Sequence, residues 1–211
     1  MRNSGRKIKQ TIIEHVANNR KEYTIIVLLF IIGIFLGVFF VNNMQESSKE
    51  EIQSYINNFI EKMKNLQNID NMSLLKNSIT QNIVFAVLIW FFGTTVIGLP
   101  IVFGLILYRG FCLGYTVSSF IAILGIGKGI VFIFASLLFQ SLLSIPAILG
   151  LAVSGFKLYK SIIRDKAKEN IKLEIARHTI FSIIMIAILL VASIIEIFIS
   201  TNLIKILAKY L

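Results

Sequence analysis

The chain is short of nearly every residue type on which catalysis and metal binding depend. One cysteine, Cys112, excludes an internal disulfide and a Cys-rich metal site. Inside apolar sequence it reads as a small buried hydrophobe. The two histidines, His15 and His178, stand in a basic segment and at the foot of an apolar run. Both read as interfacial residues rather than ligands. Charged residues make up 15% of the 211, against roughly 25% in soluble domains. Between Gln81 and Gly155 the charges shrink to two, Arg109 and Lys128. Both prolines of the chain, Pro100 and Pro146, lie in that stretch. No soluble domain hides so long a run, because even a core helix shows a polar face. The composition is that of an integral membrane protein.

The apolar runs predict an all-α polytopic membrane protein with five transmembrane helices. Residues 1–22 form a basic cytoplasmic segment in which Ile8, Ile12, Ile13 and Val16 recur at helical spacing. The run 23–41 is longer than a signal-peptide core and has no small-residue cleavage site after it, so it is transmembrane helix 1. Gly33 and Gly37 give it a G-x-x-x-G spacing, which lets helix backbones approach closely.

Residues 42–81 are the one sizeable polar region between spans, with a net charge of −1. Ile52, Tyr55, Ile56, Phe59, Ile60 and Met63 share a stripe that Leu66 extends. The spacing predicts an amphipathic helix of about five turns, started by Ser47 or Ser48. A second short helix is expected after it, with Ser73 as its cap. The stripe either rests on the bilayer or bundle rim, or is a partner-contact surface.

The membrane core, 82–156, is expected to hold transmembrane helices 2–4. Asn82–Leu107 is long for one helix, so tilt or a break at Gly98-Leu99-Pro100 is needed. Tyr108-Arg109-Gly110 reads as the next turn, Phe111–Ile126 as a short span, and Ile130–Phe156 as a span marked by Pro146. A re-entrant pair over 82–126 is the alternative. Gln140, Ser141 and Ser144 are candidates to satisfy backbone freed by Pro146. Residues 157–178 are strongly basic and suit anionic membrane lipid. Residues 179–199 are transmembrane helix 5, and 200–211 a short tail.

Lys and Arg in alternate loops count fourteen against seven when the N-terminus is inside. The expected topology is therefore N-terminus inside, C-terminus outside, with the amphipathic helix facing outward. This arrangement explains the net charge of +10 better than nucleic acid does, since no aromatic-basic platform is present.

An ionisable residue in a span is a functional candidate by default. Glu196 is the strongest, with Lys128 as a partner or with Ser193 or Ser200 bonding its protonated form. Gly98, Pro100, Arg109, Gln140 and Pro146 complete the polar or helix-breaking positions of the core. Enzyme templates fail. There is no H-E-x-x-H, and Ser154 has no histidine expected at its depth to activate it. Gly125-Ile126-Gly127-Lys128-Gly129 is no phosphate loop, because Ala122 and Gly129 stand where that motif needs Gly and Ser or Thr. No catalytic, cofactor-binding or metal site is expected.

At Trp90-Phe91-Phe92-Gly93, Val96-Ile97-Gly98-Leu99-Pro100, Arg109-Gly110-Phe111 with Gly114, and Gln140 with Ile145-Pro146-Ala147, the chain resembles stage II sporulation protein M. Asn42-Asn43 and Glu196 fit as well. The wider family often carries a His and a Glu before the fourth-span proline, where this chain has Gln140 and Ser144. The resemblance implies a non-catalytic protein of the mother-cell membrane at the sporulation septum. There it would hold two peptidoglycan-degrading partners, stage II sporulation proteins D and P, for engulfment. A second copy of the chain is a further expected partner. The rival reading is a small transporter or permease subunit lined by Gln140 and Glu196.

Overall fold

The structure is a computed structural model that describes residues 17, 19–64, 71–164 and 171–200, without the side chains of 63, 64, 71, 135–140, 164, 199 and 200. The expectations for 1–16, for Met63, for the Gln140 side chain and for the tail lie outside the described residues. All described elements are helical. α1 is Arg20–Asn42, α2 Glu46–Lys64 and α3 Asn71–Gly93. The run Leu99–Arg164 is two helices joined at Gly125, whose φ of 78° and ψ of 164° leave the helical region. They are α4 (99–124) and α5 (126–164). α6 is Ile171–Ile195, continued by a π-helical turn, Glu196–Ser200. Five of these elements are long and apolar enough to cross a membrane.

The number of spans matches the sequence expectation, but two boundaries move. The short helix expected before residue 82 and the span after it are one helix, α3, so residue 82 marks no boundary. Ser73 lies inside its first turn rather than at a cap. Ser47 and Ser48 likewise fall within α2, which begins at Glu46. The turn expected at Tyr108-Arg109-Gly110 is mid-helix in α4.

The real break is 94–98, and its chemistry is local. Thr94 and Thr95 turn their hydroxyls back onto the Phe91 and Phe92 carbonyls at 2.6 and 3.0 Å, beside the Thr94 and Thr95 amides that the same carbonyls accept at 3.3 and 3.1 Å. The Gly98 carbonyl accepts the Val102 amide at 2.9 Å and opens α4. Pro100 is the second residue of α4, where a missing N–H breaks no helical bond. A side chain at Gly98 would strike the Phe92 carbonyl oxygen and the Thr95 hydroxyl. Pro146, by contrast, sits within continuous helix and does not break α5.

The spans form an up-and-down bundle. All five contribute to one core, through residues such as Ile26, Ile89, Ile106, Leu151 and Leu189. Large apolar side chains such as Phe35, Phe39 and Leu142 face outward, as lipid requires. Burial of apolar surface does not drive helices together in lipid, so close packing must. α1 and α4 meet through two interleaved G-x-x-x-G pairs, Gly33/Gly37 and Gly110/Gly114. A methyl at Gly33 would fall on the Leu107 carbonyl, and one at Gly110 on the Phe30 carbonyl. A second backbone contact joins α3 to α5 at Gly93 and Gly155, where an added carbon at Gly155 would lie 3.0 Å from the Gly93 Cα.

α2 lies on the rim. Ile56 and Ile60 are 4% and 7% exposed, and Phe59 packs edge-on against Phe132 with centroids 6.4 Å apart. The stripe is therefore largely covered by the chain itself.

Candidate functional site

Polar side chains gather in two layers of the bundle. The first is near the foot of α1. Lys160 of α5 donates to Glu22 at 2.6 Å, and the Trp90 indole donates to Thr179 Oγ1 at 3.2 Å. Ser154 Oγ lies 2.8 Å from His178 Nδ1. The expectation that no histidine reaches Ser154 is thus wrong, as is an interfacial place for His178. Its ring is 2% exposed, lodged beside the Gly93–Gly155 contact. The miss has a plain cause. His178 lies in a different helix, two turns into α6, and the two glycines, which leave room for an imidazole between α3 and α5, let it reach Ser154.

Ser154 is half-buried, and among the described residues no carboxylate is bonded to the imidazole in the way a triad requires. Its Nε2 has no hydrogen-bond partner among the described residues, although the Trp90 carbonyl lies beside the ring. A hydrogen bond between α5 and α6 is what the geometry provides. Ser182 secures the same turn by donating to the His178 carbonyl at 2.7 Å.

The second layer surrounds the strongest sequence candidate. Glu196 accepts a hydrogen bond from Ser78 of α3. One turn away, Asn82, 2% exposed, donates to Ser193 Oγ at 2.8 Å, and Ser193 donates on to the Leu189 carbonyl at 3.2 Å. Ser193 thus pairs with Asn82 instead of the carboxylate, and Ser78, for which the sequence suggested no role, rather than Lys128, bonds Glu196. Arg109 joins from α4. Its guanidinium carbon is 5.7 Å from the centre of the Phe85 ring, a cation–π distance, and it lies within electrostatic reach of Glu196. Arg109 and Glu196 thus stand near each other inside the bundle, with hydroxyl, amide and aromatic neighbours around them. Ser78 and Asn82 four apart, facing Ser193 and Glu196 three apart, was the signal available in the sequence.

The remaining candidates scatter. Gly98 is buried in the 94–98 turn, Pro100 is exposed at the start of α4, and Pro146 is exposed on α5. On α2, Ile52 and Phe59 are half-buried, Ile56 and Ile60 buried, and Tyr55 74% exposed. Among the described residues no group of three His, Cys, Asp or Glu could hold a metal ion.

The profile of the stage II sporulation protein M family matches residues 26–201. The chain belongs to this family. The match runs from the second turn of α1 to just past the π-helical turn, so it includes both glycine crossings and, Glu22 apart, both polar layers. The family makes this a sporulation-related membrane protein, in agreement with the five spans. No curated protein and no solved structure matches the chain.

Proposed function

We propose that the chain is a non-catalytic membrane scaffold for engulfment, which organises septal peptidoglycan-degrading enzymes from the mother-cell membrane. One observation carries this reading. α2 is seated on the bundle by Ile56 and Ile60, and its other face, Glu51, Tyr55, Asn58 and Lys62, points away with Tyr55 74% exposed. A helix fixed in this way presents a rigid polar surface with one aromatic anchor, the kind of residue that dominates protein interfaces. The loop charges favour an N-terminus inside, and they do so without Arg109, which is no longer a loop residue. That orientation puts α2 on the side where the wall lies. The partners are stage II sporulation proteins D and P, anionic lipid holds the basic segment 157–178, and a second copy remains a candidate partner. Of the described residues of the apolar stripe, only Tyr55 belongs to this contact face. Charge at Ile60 would unseat α2 instead of testing a partner.

The test is Tyr55→Ala combined with Asn58→Arg in sporulating cells. Loss of septal localisation of proteins D and P is expected, with unchanged insertion and abundance of the variant. Normal localisation of both partners would defeat the reading.

A further inference from the structure

Residues 43–45 join α2 to α1, and among the described elements α2 packs on α4 and α5 alone. Its seat is small. Ile56 and Ile60 are buried, and Phe59 meets Phe132, which is itself stacked on Phe120 with centroids 4.7 Å apart. The first turns of α2 have no such support. Beneath them a cavity of about 330 Å³ opens at the ends of α1 and α4, with Ile52 and Gln53 on one side and Ser119 and Ile123 on the other. Atoms that border a void lose contacts there, so the cavity weakens the hold on α2. The helix has support of its own, however. Glu46 and Glu50 stand at the positive end of its dipole, and Lys49 donates to Glu46 at 3.0 Å, a pair that stabilises a helix with no bundle beside it.

A second observation is independent of that packing. Ser119 is 4% exposed, and its Oγ is buried with no hydrogen-bond partner among the described residues. Its neighbour Thr116 shows the usual alternative, donating to the Cys112 carbonyl one turn back at 2.8 Å. Buried hydroxyls are almost always satisfied, and an unsatisfied one costs its full desolvation. The cover over Ser119 is α2. Ile101, Gly104 and Tyr108 share a face of α4 with Ser119 at helical spacing, and all three are exposed, whereas Ser119 is closed off where α2 crosses. Seating α2 therefore buries a hydroxyl that water reaches once α2 lifts.

We propose that α2 is a strap with two positions, seated on α4 and α5 or released as an intact helix onto the adjoining membrane surface. Its stripe of Ile52, Ile56, Phe59 and Ile60 suits both, because an amphipathic helix lies in the interface with that face in the lipid. The cavity and the orphan hydroxyl keep the seated position from becoming permanent. Seated, α2 holds Glu51, Tyr55, Asn58 and Lys62 beside the bundle; released, it carries them away. The strap stands whether or not that face meets a partner, but its use as a control on the contact rests on the contact-face reading of α2.

Double electron–electron resonance on the full chain in lipid nanodiscs tests the strap. In a Cys112→Ser background, spin labels go on Lys62→Cys, exposed on α2, and on Gly127→Cys, where an added side chain meets nothing within 4 Å. Two distances are expected, the shorter for the seated position. Phe132→Leu removes the ring that Phe59 meets and keeps an apolar side chain, so the ratio of released to seated should rise roughly threefold. Ser119→Ala added to that chain should lower the ratio about fivefold or more, since the seated position then buries no unsatisfied hydroxyl. Thr116→Ala, which removes a hydroxyl already bonded within α4, should leave the ratio unchanged. Far-ultraviolet circular dichroism of Phe132→Leu should match the parent, because α2 stays helical when released. A single distance in every variant would overturn the strap, and so would a ratio that Ser119→Ala leaves unmoved or a loss of helix in Phe132→Leu. None of these results touches the Tyr55→Ala and Asn58→Arg test. Normal partner localisation there would defeat the contact face and leave the strap standing.

Discussion

Gly114→Ala should separate α1 from α4. A methyl carbon at Gly114 would lie 2.9 Å from both the Cα and the carbonyl carbon of Ile34, and closer still to the Ile34 oxygen. All three are backbone atoms, so no side chain can swing aside. Ordinary contact between carbon atoms is at about 3.5–4.0 Å, so the helices must part by roughly 1 Å, which forfeits a quarter to a half of the dispersion at the crossing. In lipid no hydrophobic term restores that loss. The expected cost is about 1–3 kcal/mol, typical of overpacking. Gly104 of the same helix is the control, because an added methyl there meets nothing within 4 Å. Gly104→Ala should be neutral or stabilising by up to ~1 kcal/mol through helix propensity. Unfolding in mixed micelles by increasing sodium dodecyl sulfate, followed by far-ultraviolet circular dichroism, measures both. Equal midpoints for the two variants would refute the reasoning. Gly37 faces the Gly114–Tyr115 backbone, so Gly37→Ala combined with Gly114→Ala should cost less than the two apart, since one separation relieves both clashes.

Two further outcomes follow from the polar layers. Glu22→Lys should weaken the α1–α5 contact by setting two ammonium groups together, and Lys160→Glu in the same chain should recover most of the loss; a double-mutant cycle in the same unfolding assay that shows no coupling would remove the ion pair from the account. Ser154→Ala should cost about 0.6 kcal/mol, the usual worth of one hydrogen bond between membrane helices, whereas His178→Phe should cost more, because the larger ring must fit against Gly93 and Gly155; equal losses would argue that the imidazole fills no special space.

The membrane class, the number of spans and the α1–α4 glycine spacing were legible because each depends on local pattern. Twenty apolar residues span a bilayer whatever surrounds them, and two glycines four apart expose backbone on one helix face. The amphipathic stripe on α2 was equally plain, although periodicity could not say that Ile56 and Ile60 are covered by the chain itself.

What the sequence by itself determined, then, is a five-span membrane protein with small-residue crossings and no apparent catalytic motif. Where the spans begin and end was decided by tertiary structure. Arg109 looked like a loop residue because a lone charge in hydrocarbon is costly. It lies inside α4, where the Phe85 ring from one helix faces its guanidinium and Glu196 from another is within electrostatic reach, and neither is near it in sequence. His178 looked interfacial for the same reason and is buried because Gly93 and Gly155 make room for it. A charge or an imidazole can enter the bundle only when distant parts of the chain bring it a partner or a space, and those partners meet only on folding.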